Sequence, residues 1–211
     1  MIPEHVPAPV APPGSIEASA APRRAPGVRS RAGNAMERTR LAVLDGAARA
    51  VEKHGARRAT MGDIAVLAGI AKGTLYNHFR TKDAVYAAAV EAGVRALVEE
   101  CTLAARDDLA DALALAAERI GGHPALRRVA SDEPAVMAVL VTPGDGPAWQ
   151  LARDGVRAVL HAAGRATDAA ATAVVLRWLV SFVAHPGVDV ARQAALVAGA
   201  IPRVSTAPGS S

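Results

Sequence analysis

Aromatic side chains are scarce in this chain of 211 residues, at 3%, although 51% of the residues are hydrophobic. Any core must therefore be packed mainly by Ala, Val and Leu, and the length suffices for one or two domains. Cysteine is nearly absent. Cys101 stands alone, which excludes an intrachain disulfide and a cysteine metal cluster and leaves a buried, inert thiol as its reading. His123, His161 and His185 are too far apart in sequence for a metal motif, so no metal is expected. No apolar run reaches about 18 residues, so no membrane span is expected. The opening "MIPEHVPAPVAPPG" lacks the basic start and apolar stretch of a signal peptide, and the expected location is cytoplasmic. Also missing are a Gly-rich phosphate loop, a G-x-S-x-G elbow, an H-E-x-x-H pair and paired cysteines. The chain therefore gives no grounds for an enzyme or for a cofactor.

What is present is an uneven charge. The formal net charge is +4. Residues 1–35 carry four Arg against two Glu, residues 36–86 nine Lys/Arg against five Asp/Glu, and residues 87–211 eleven against thirteen. A basic first part joined to a slightly acidic second part points to an anionic partner for the first part.

Residues 1–35 are rich in Pro, Ala, Gly and Ser, without apolar periodicity, and read as a disordered arm. Arg23, Arg24, Arg29 and Arg31 lie at its far end. Three readings stay open for it: a solvated tail, a basic arm lying along nucleic acid, or a stretch preceding a true start at Met36. From Met36 the pattern is helical. Leu41, Leu44, Ala47, Ala48 and Val51 recur at three- and four-residue spacing, and Gly55 ends the run. Beyond Thr81 helical patterns continue, from "KDAVYAAAVEAGVRALVEECTLAAR" to "DVARQAALVAGAI", with prolines at plausible helix boundaries. Nothing alternates in the strand manner, so the expected fold is all-α. Residues 206–211 read as a frayed tail.

The segment "IAVLAGIAKGTLYNHF", Ile64 to Phe79, carries the most information. Thr60 is a good N-cap and Asp63 suits the positive end of a helix from Met61 to Ala68. Gly69 supplies the positive φ of a sharp turn, and small Ala65 lets a second helix cross closely. Ile64, Ala68, Ile70, Leu75 and Phe79 are spaced to bury one shared face. The result is a helix-turn-helix whose second helix runs from about Lys72 to Phe79. Its outward positions include the donors Lys72, Thr74, Tyr76 and His78, with Gly73 allowing close backbone approach. A short helix entering the major groove needs such groups, some for base edges and the rest for phosphates. Lys82 follows, where its ammonium and the helix N-terminal amides can share a phosphate.

The run "TMGDIAVLAGIAKGTLYNHFRTKDAVYAA", and within it "GTLYNHFRTKD", resembles the DNA-binding domain of the TetR family of bacterial transcriptional regulators, over roughly Arg38 to Ala88. One departure is Ala71, where that family usually has a capping Ser or Thr; the loss is worth about 1 kcal/mol locally. The resemblance implies an N-terminal three-helix helix-turn-helix domain, residues 36–86, followed by a helical effector-binding and dimerisation domain, residues 87–205. It implies that Thr60, Tyr76, His78 and Lys82 hold the DNA backbone, while Lys72, Gly73 and Thr74 approach bases or nearby phosphates. Asn77 either joins them or faces solvent. The function implied is that of a repressor: a homodimer on a palindromic double-stranded operator, released by a small apolar effector.

The second domain matches that family only in layout. "AAATAVVLRWLVSFVAH" and "DVARQAALVAGAI" are apolar over more than one face, as expected for half of a four-helix dimer bundle, against the alternative of two core helices of a monomer. "LRWLVSFVAHPG" resembles the same region of regulators that sense lipid-derived acyl ligands. Met137, Trp149, His161, Trp178 and Phe182 are candidates for an apolar effector pocket, against the alternative of plain core or interface. Arg127 and Arg128 could pair with an anionic ligand group or simply sit on a solvated face. A ligand-independent DNA-binding scaffold or an activator remains the competing functional class; a fully packed second domain would favour it, and an apolar cavity would favour the repressor.

Overall fold

The structure, a computed structural model, describes residues 27–185 and 187–204. Arg23, Arg24 and the 206–211 tail lie outside the described residues. The fold is all-α, with no strand among the described residues. Four helices form the N-terminal part: α1 (Gly27–His54), α2 (Met61–Ala68), α3 (Lys72–His78) and the long connector α4 (Lys82–Ala104). Six follow: α5 (Leu109–Gly122), α6 (Pro124–Asp132), α7 (Pro134–Val141), α8 (Pro147–Ala162), α9 (Ala169–Ala184) and α10 (Val190–Ala200).

Local sequence explains most helix starts. The Asp108 carboxylate accepts the N–H groups of Ala110 and Asp111 at 2.6 and 3.2 Å. Asp168 does the same for Ala171 at 2.9 Å, and the Thr81 hydroxyl accepts the Ala84 N–H at 3.1 Å. Pro124, Pro134 and Pro147 each open a helix at its first position, where a missing N–H loses nothing.

Three apolar cores result. The first joins α1 to α4 around Val43, Ile64, Leu75, Phe79 and Val85. The largest fills the C-terminal bundle around Cys101, Leu113, Leu160, Val175, Ala194 and Ile201. The third lies at their junction, where Val51 of α1 meets Ala125 and Val129 of α6 and Met137 of α7. Much of this core is alanine, so helix axes approach closely rather than being held apart by rings.

Two expectations need correction. The first helix begins at Gly27, ahead of Met36, so residues 27–35 continue α1 instead of belonging to a disordered arm. Leu41 is exposed, and the inward face of α1 is Val43, Leu44, Ala47, Ala50 and Val51. Spacing alone does not separate the two stripes, because Leu41 stands three residues before Leu44 just as Val43 stands four before Ala47.

Candidate nucleic-acid interface

Helix α2 is fixed at both ends. Thr60 Oγ1 accepts the Asp63 N–H at 3.2 Å, and Asp63 Oδ2 accepts the Thr60 N–H at 2.9 Å, closing a capping box. The Thr60 hydroxyl also donates to Asp63 Oδ2 at 2.7 Å. The hydroxyl and the amide of Thr60 hold the Asp63 carboxyl below its ordinary value, so the cap stays charged. At the other end Gly69 adopts φ +68°, a left-handed conformation that glycine takes without steric cost, and the Ile70 N–H reaches back to the Ala65 carbonyl at 3.0 Å. The Arg49 guanidinium donates to the Leu67 carbonyl at 2.6 Å while paired with Asp45, which ties this end of α2 to α1.

Helix α3 follows at once. Ala71 occupies its N-cap and supplies no side-chain bond. Leu75 and Phe79 are buried with Ile64, whereas Ala68 and Ile70 are only half-buried. The helix ends at His78, with Phe79 as its cap. The Arg40 guanidinium stacks over the Phe79 ring at 5.2 Å, closing the apolar side of α3.

The seven residues expected to meet DNA divide into two groups. Lys72, Gly73 and Tyr76 are exposed on α3, and Thr74 and His78 are half-buried beside them. Among the described residues, the side chains of Lys72, Thr74, Tyr76 and His78 make no hydrogen bond or ion pair within the protein. Asn77 is exposed on the same short helix. Thr60 and Lys82 are occupied internally. Thr60 holds the capping box, and Lys82 Nζ donates to the carbonyls of Ala56, Arg57 and Ala59 at 2.9, 2.8 and 3.0 Å. All three ammonium hydrogens of Lys82 are thereby engaged within the protein, where they clamp the α1–α2 connection. Tyr86 completes the clamp: its hydroxyl donates to the Ala56 carbonyl at 3.1 Å. Burial, with Glu133 and Asp83 nearby, pushes its phenol up to about 12. Sequence reasoning missed Arg40, Arg49 and Tyr86. Only the four-residue spacing of Asp45 and Arg49 gave any signal.

The effector candidates are not gathered into one cavity. Met137 is buried in the junction core. Trp149 lines an open groove with Ala138, Val139, Thr142, Pro143 and Gly144, of about 500 Å³. His161 is exposed on the last turn of α8. Trp178 packs edge-on against Phe182 at 5.0 Å within α9 and donates its indole N–H to Gln193 of α10 at 3.2 Å. Among the described residues no helix is long and apolar enough to cross a membrane.

Comparison with known proteins adds to this geometry. Residues 43–89 match the sequence profile of "Bacterial regulatory proteins, tetR family". The chain is 44% identical over 46 residues to the HTH-type transcriptional regulator TtgR of Pseudomonas putida, and equally to the probable HTH-type transcriptional regulator ArpR of the same species. Each alignment spans 22% of this chain and 22% of the relative. The fold is similar to that of the TetR family repressor AlkX from a Dietzia species, with a TM-score of 0.58 at 20% identity over 75% of this chain and 90% of that one. It is also similar to a protein solved to explain control of antibiotic production by bacterial hormones, with a TM-score of 0.51 at 21% identity over 79% and 98% of the two chains.

Proposed function

We propose that this chain, whose residues 43–89 carry the DNA-binding domain of TetR-family transcriptional regulators, is a ligand-responsive repressor that binds a palindromic operator as a homodimer. The observation that carries the reading is the face of α3. Four side chains able to donate stand on one short helix with no bond to the protein among the described residues, while the capping box and Gly69 fix α2 beside it and buried Leu75 and Phe79 anchor it to the core. A preorganised row of donors is what a major groove requires. Lys72, Thr74, Tyr76 and His78 are the groups assigned to DNA, with Gly73 allowing close approach. Thr60 and Lys82 are assigned to holding the helix-turn-helix. At the start of α4 the phosphate contact falls to the backbone N–H groups of Lys82 and Asp83, beside the Thr81 cap.

Two copies are required because one seven-residue helix reads only a few base pairs. The outward sides of α9 and α10, with Val174 and Leu196 exposed, are assigned to the dimer contact. A small apolar effector is assigned to the groove at Trp149, the one candidate of the five that lines it. The effector can shift the dimer only by its differential affinity for the free and DNA-bound forms, and operator must weaken effector by the same factor.

Selection of bound sequences from a random duplex pool tests the reading. The expected product is an inverted repeat whose half-sites lie about one turn apart, roughly 34 Å, or a multiple of it. Recovery of no preferred sequence, with an affinity no steeper in salt than one or two phosphates predict, would contradict it.

A further inference from the structure

The connection between α1 and α2 leads into the Thr60 cap of α2, and it is gripped by side chains from two other parts of the chain. From α4 come Lys82 and Tyr86, bonded to its carbonyls. From the C-terminal helices comes Glu133, at the joint between α6 and α7. Both of its carboxylate oxygens accept the Arg57 N–H, at 3.3 and 3.2 Å. Gly55 makes room for it. That residue turns the chain at φ +80°, and a Cβ added there would collide with Glu133 Oε1. The carboxylate thus occupies the space that a side chain at position 55 would take. Charge agrees: a cleft of about 270 Å³ beside it is lined by His54, Arg57, Arg58 and Arg128, with Asp132 paired to Arg128 at 2.9 Å.

We infer that Glu133 is a positioning residue for DNA reading, although it lies on none of the helices that face DNA. It fixes Arg57, and three residues later the chain becomes the Thr60 cap that aims α2 and α3. Its own place is set by α6 and α7, which pack on α1 through Val51, Ala125, Val129 and Met137. A displacement of the α6–α7 joint is passed through this carboxylate to the recognition helix. The inference rests on the reading of α3 as the groove helix.

The test compares Glu133→Ala and Glu133→Gln in the full chain, by hydrogen exchange of residues 55–60 and by duplex binding. Glutamine keeps an acceptor of the same reach but no charge. Alanine removes both. Loss of a negative charge alone strengthens binding to a polyanion, so a weakening cannot come from charge. Glu133→Ala should exchange roughly tenfold faster at these amides, the scale of one hydrogen bond to a charged group. It should bind duplex roughly three- to tenfold more weakly with an unchanged salt slope, because no phosphate contact is lost. Glu133→Gln should recover most of both. Unchanged exchange in Glu133→Ala overturns the inference. Faster exchange with unchanged duplex affinity overturns it too, since the carboxylate would then hold the connection without aiming α3. A wild-type chain that binds no duplex sinks the reading of α3, and the positioning role falls with it, while the exchange data still decide the Glu133 contact.

Discussion

Gly46 of α1 meets Ala68 of α2 with no space between them: a Cβ at position 46 would stand 2.8 Å from the Ala68 Cβ and 2.7 Å from its backbone nitrogen. This is backbone-to-backbone contact, and it sets the distance between the helix-turn-helix and the rest of the N-terminal core. Alanine raises helix propensity by about 1 kcal/mol over glycine in an open helix. At position 46 that gain is opposed by a collision with atoms that cannot swing away, worth about 1–3 kcal/mol. Gly46→Ala should therefore lower stability in urea. Gly93→Ala on α4, where nothing lies within 4 Å of the added carbon, should raise it. Equal effects of the two substitutions would refute the close crossing.

Tyr76 and Lys82 separate contact from support. Tyr76 is 41% exposed and makes no internal bond among the described residues. Tyr76→Ala should weaken duplex binding at least tenfold and leave stability within about 0.5 kcal/mol. Lys82→Ala strips a donor from three carbonyls of the α1–α2 connection and should cost about 1–3 kcal/mol of stability, with DNA binding falling alongside. Thr74 substitutions should change sequence preference more than salt dependence. Anisotropy at several salt concentrations, paired with thermal melts, measures all three. A Lys82→Ala protein as stable as wild type would show that its ammonium serves DNA instead.

The helix-turn-helix was legible because its signals are local. Thr60, Asp63 and Gly69 act on their own neighbours, and Ile64, Leu75 and Phe79 repeat at helical spacing, so α2 stands where the pattern put it and α3 stops one residue early. What escaped the sequence joins distant residues. Nothing in one dimension joins Lys82 to the Ala56 carbonyl, or pairs Glu133 with Arg57 across 76 positions. Gly46 looked like an ordinary helix glycine until Ala68 was placed against it. The effector candidates scattered for a related reason. In so alanine-rich a chain every aromatic stands out, yet Trp178 and Phe182 spend their surface on each other.

Cys101 gives a test of the main core. Burial pushes its thiol from an ordinary 9.0 up to about 11, with Glu100 adding to the shift and Arg119 opposing it. The folded value is raised, so the linked stability is complete below pH 9 and is lost as pH climbs through 11. At pH 8 the native thiolate is about a hundredfold scarcer than in the unfolded chain, and access is closed as well. A thiol-specific reagent should label the native protein only as fast as the core opens, and in denaturant within the mixing time. Rapid native labelling would place Cys101 outside the core.

The dimer contact can be tested without knowing the operator. Helix α9 turns Ala171, Val175 and Phe182 inward, and α10 turns Ala194 and Ala198 inward. Their other sides expose Ala170, Val174, Ala195, Leu196, Gly199 and Ala200, with Arg177 and Arg192 the charges on those faces among the described residues. Leu196 is 68% exposed, so a charge there disturbs no core of its own protomer. In a bundle it would be buried against a copy of itself and left unpaired, which costs several kcal/mol across the interface. Leu196→Glu should therefore sediment as a monomer at concentrations where the wild type is a dimer, with an unchanged helical circular dichroism spectrum. Duplex affinity should fall steeply, because each α3 then binds its half-site without the effective concentration that linkage supplies. A wild type that is monomeric at tens of micromolar, or a Leu196→Glu protein that remains dimeric, would move the dimer contact away from α10 and leave the reading of α3 intact.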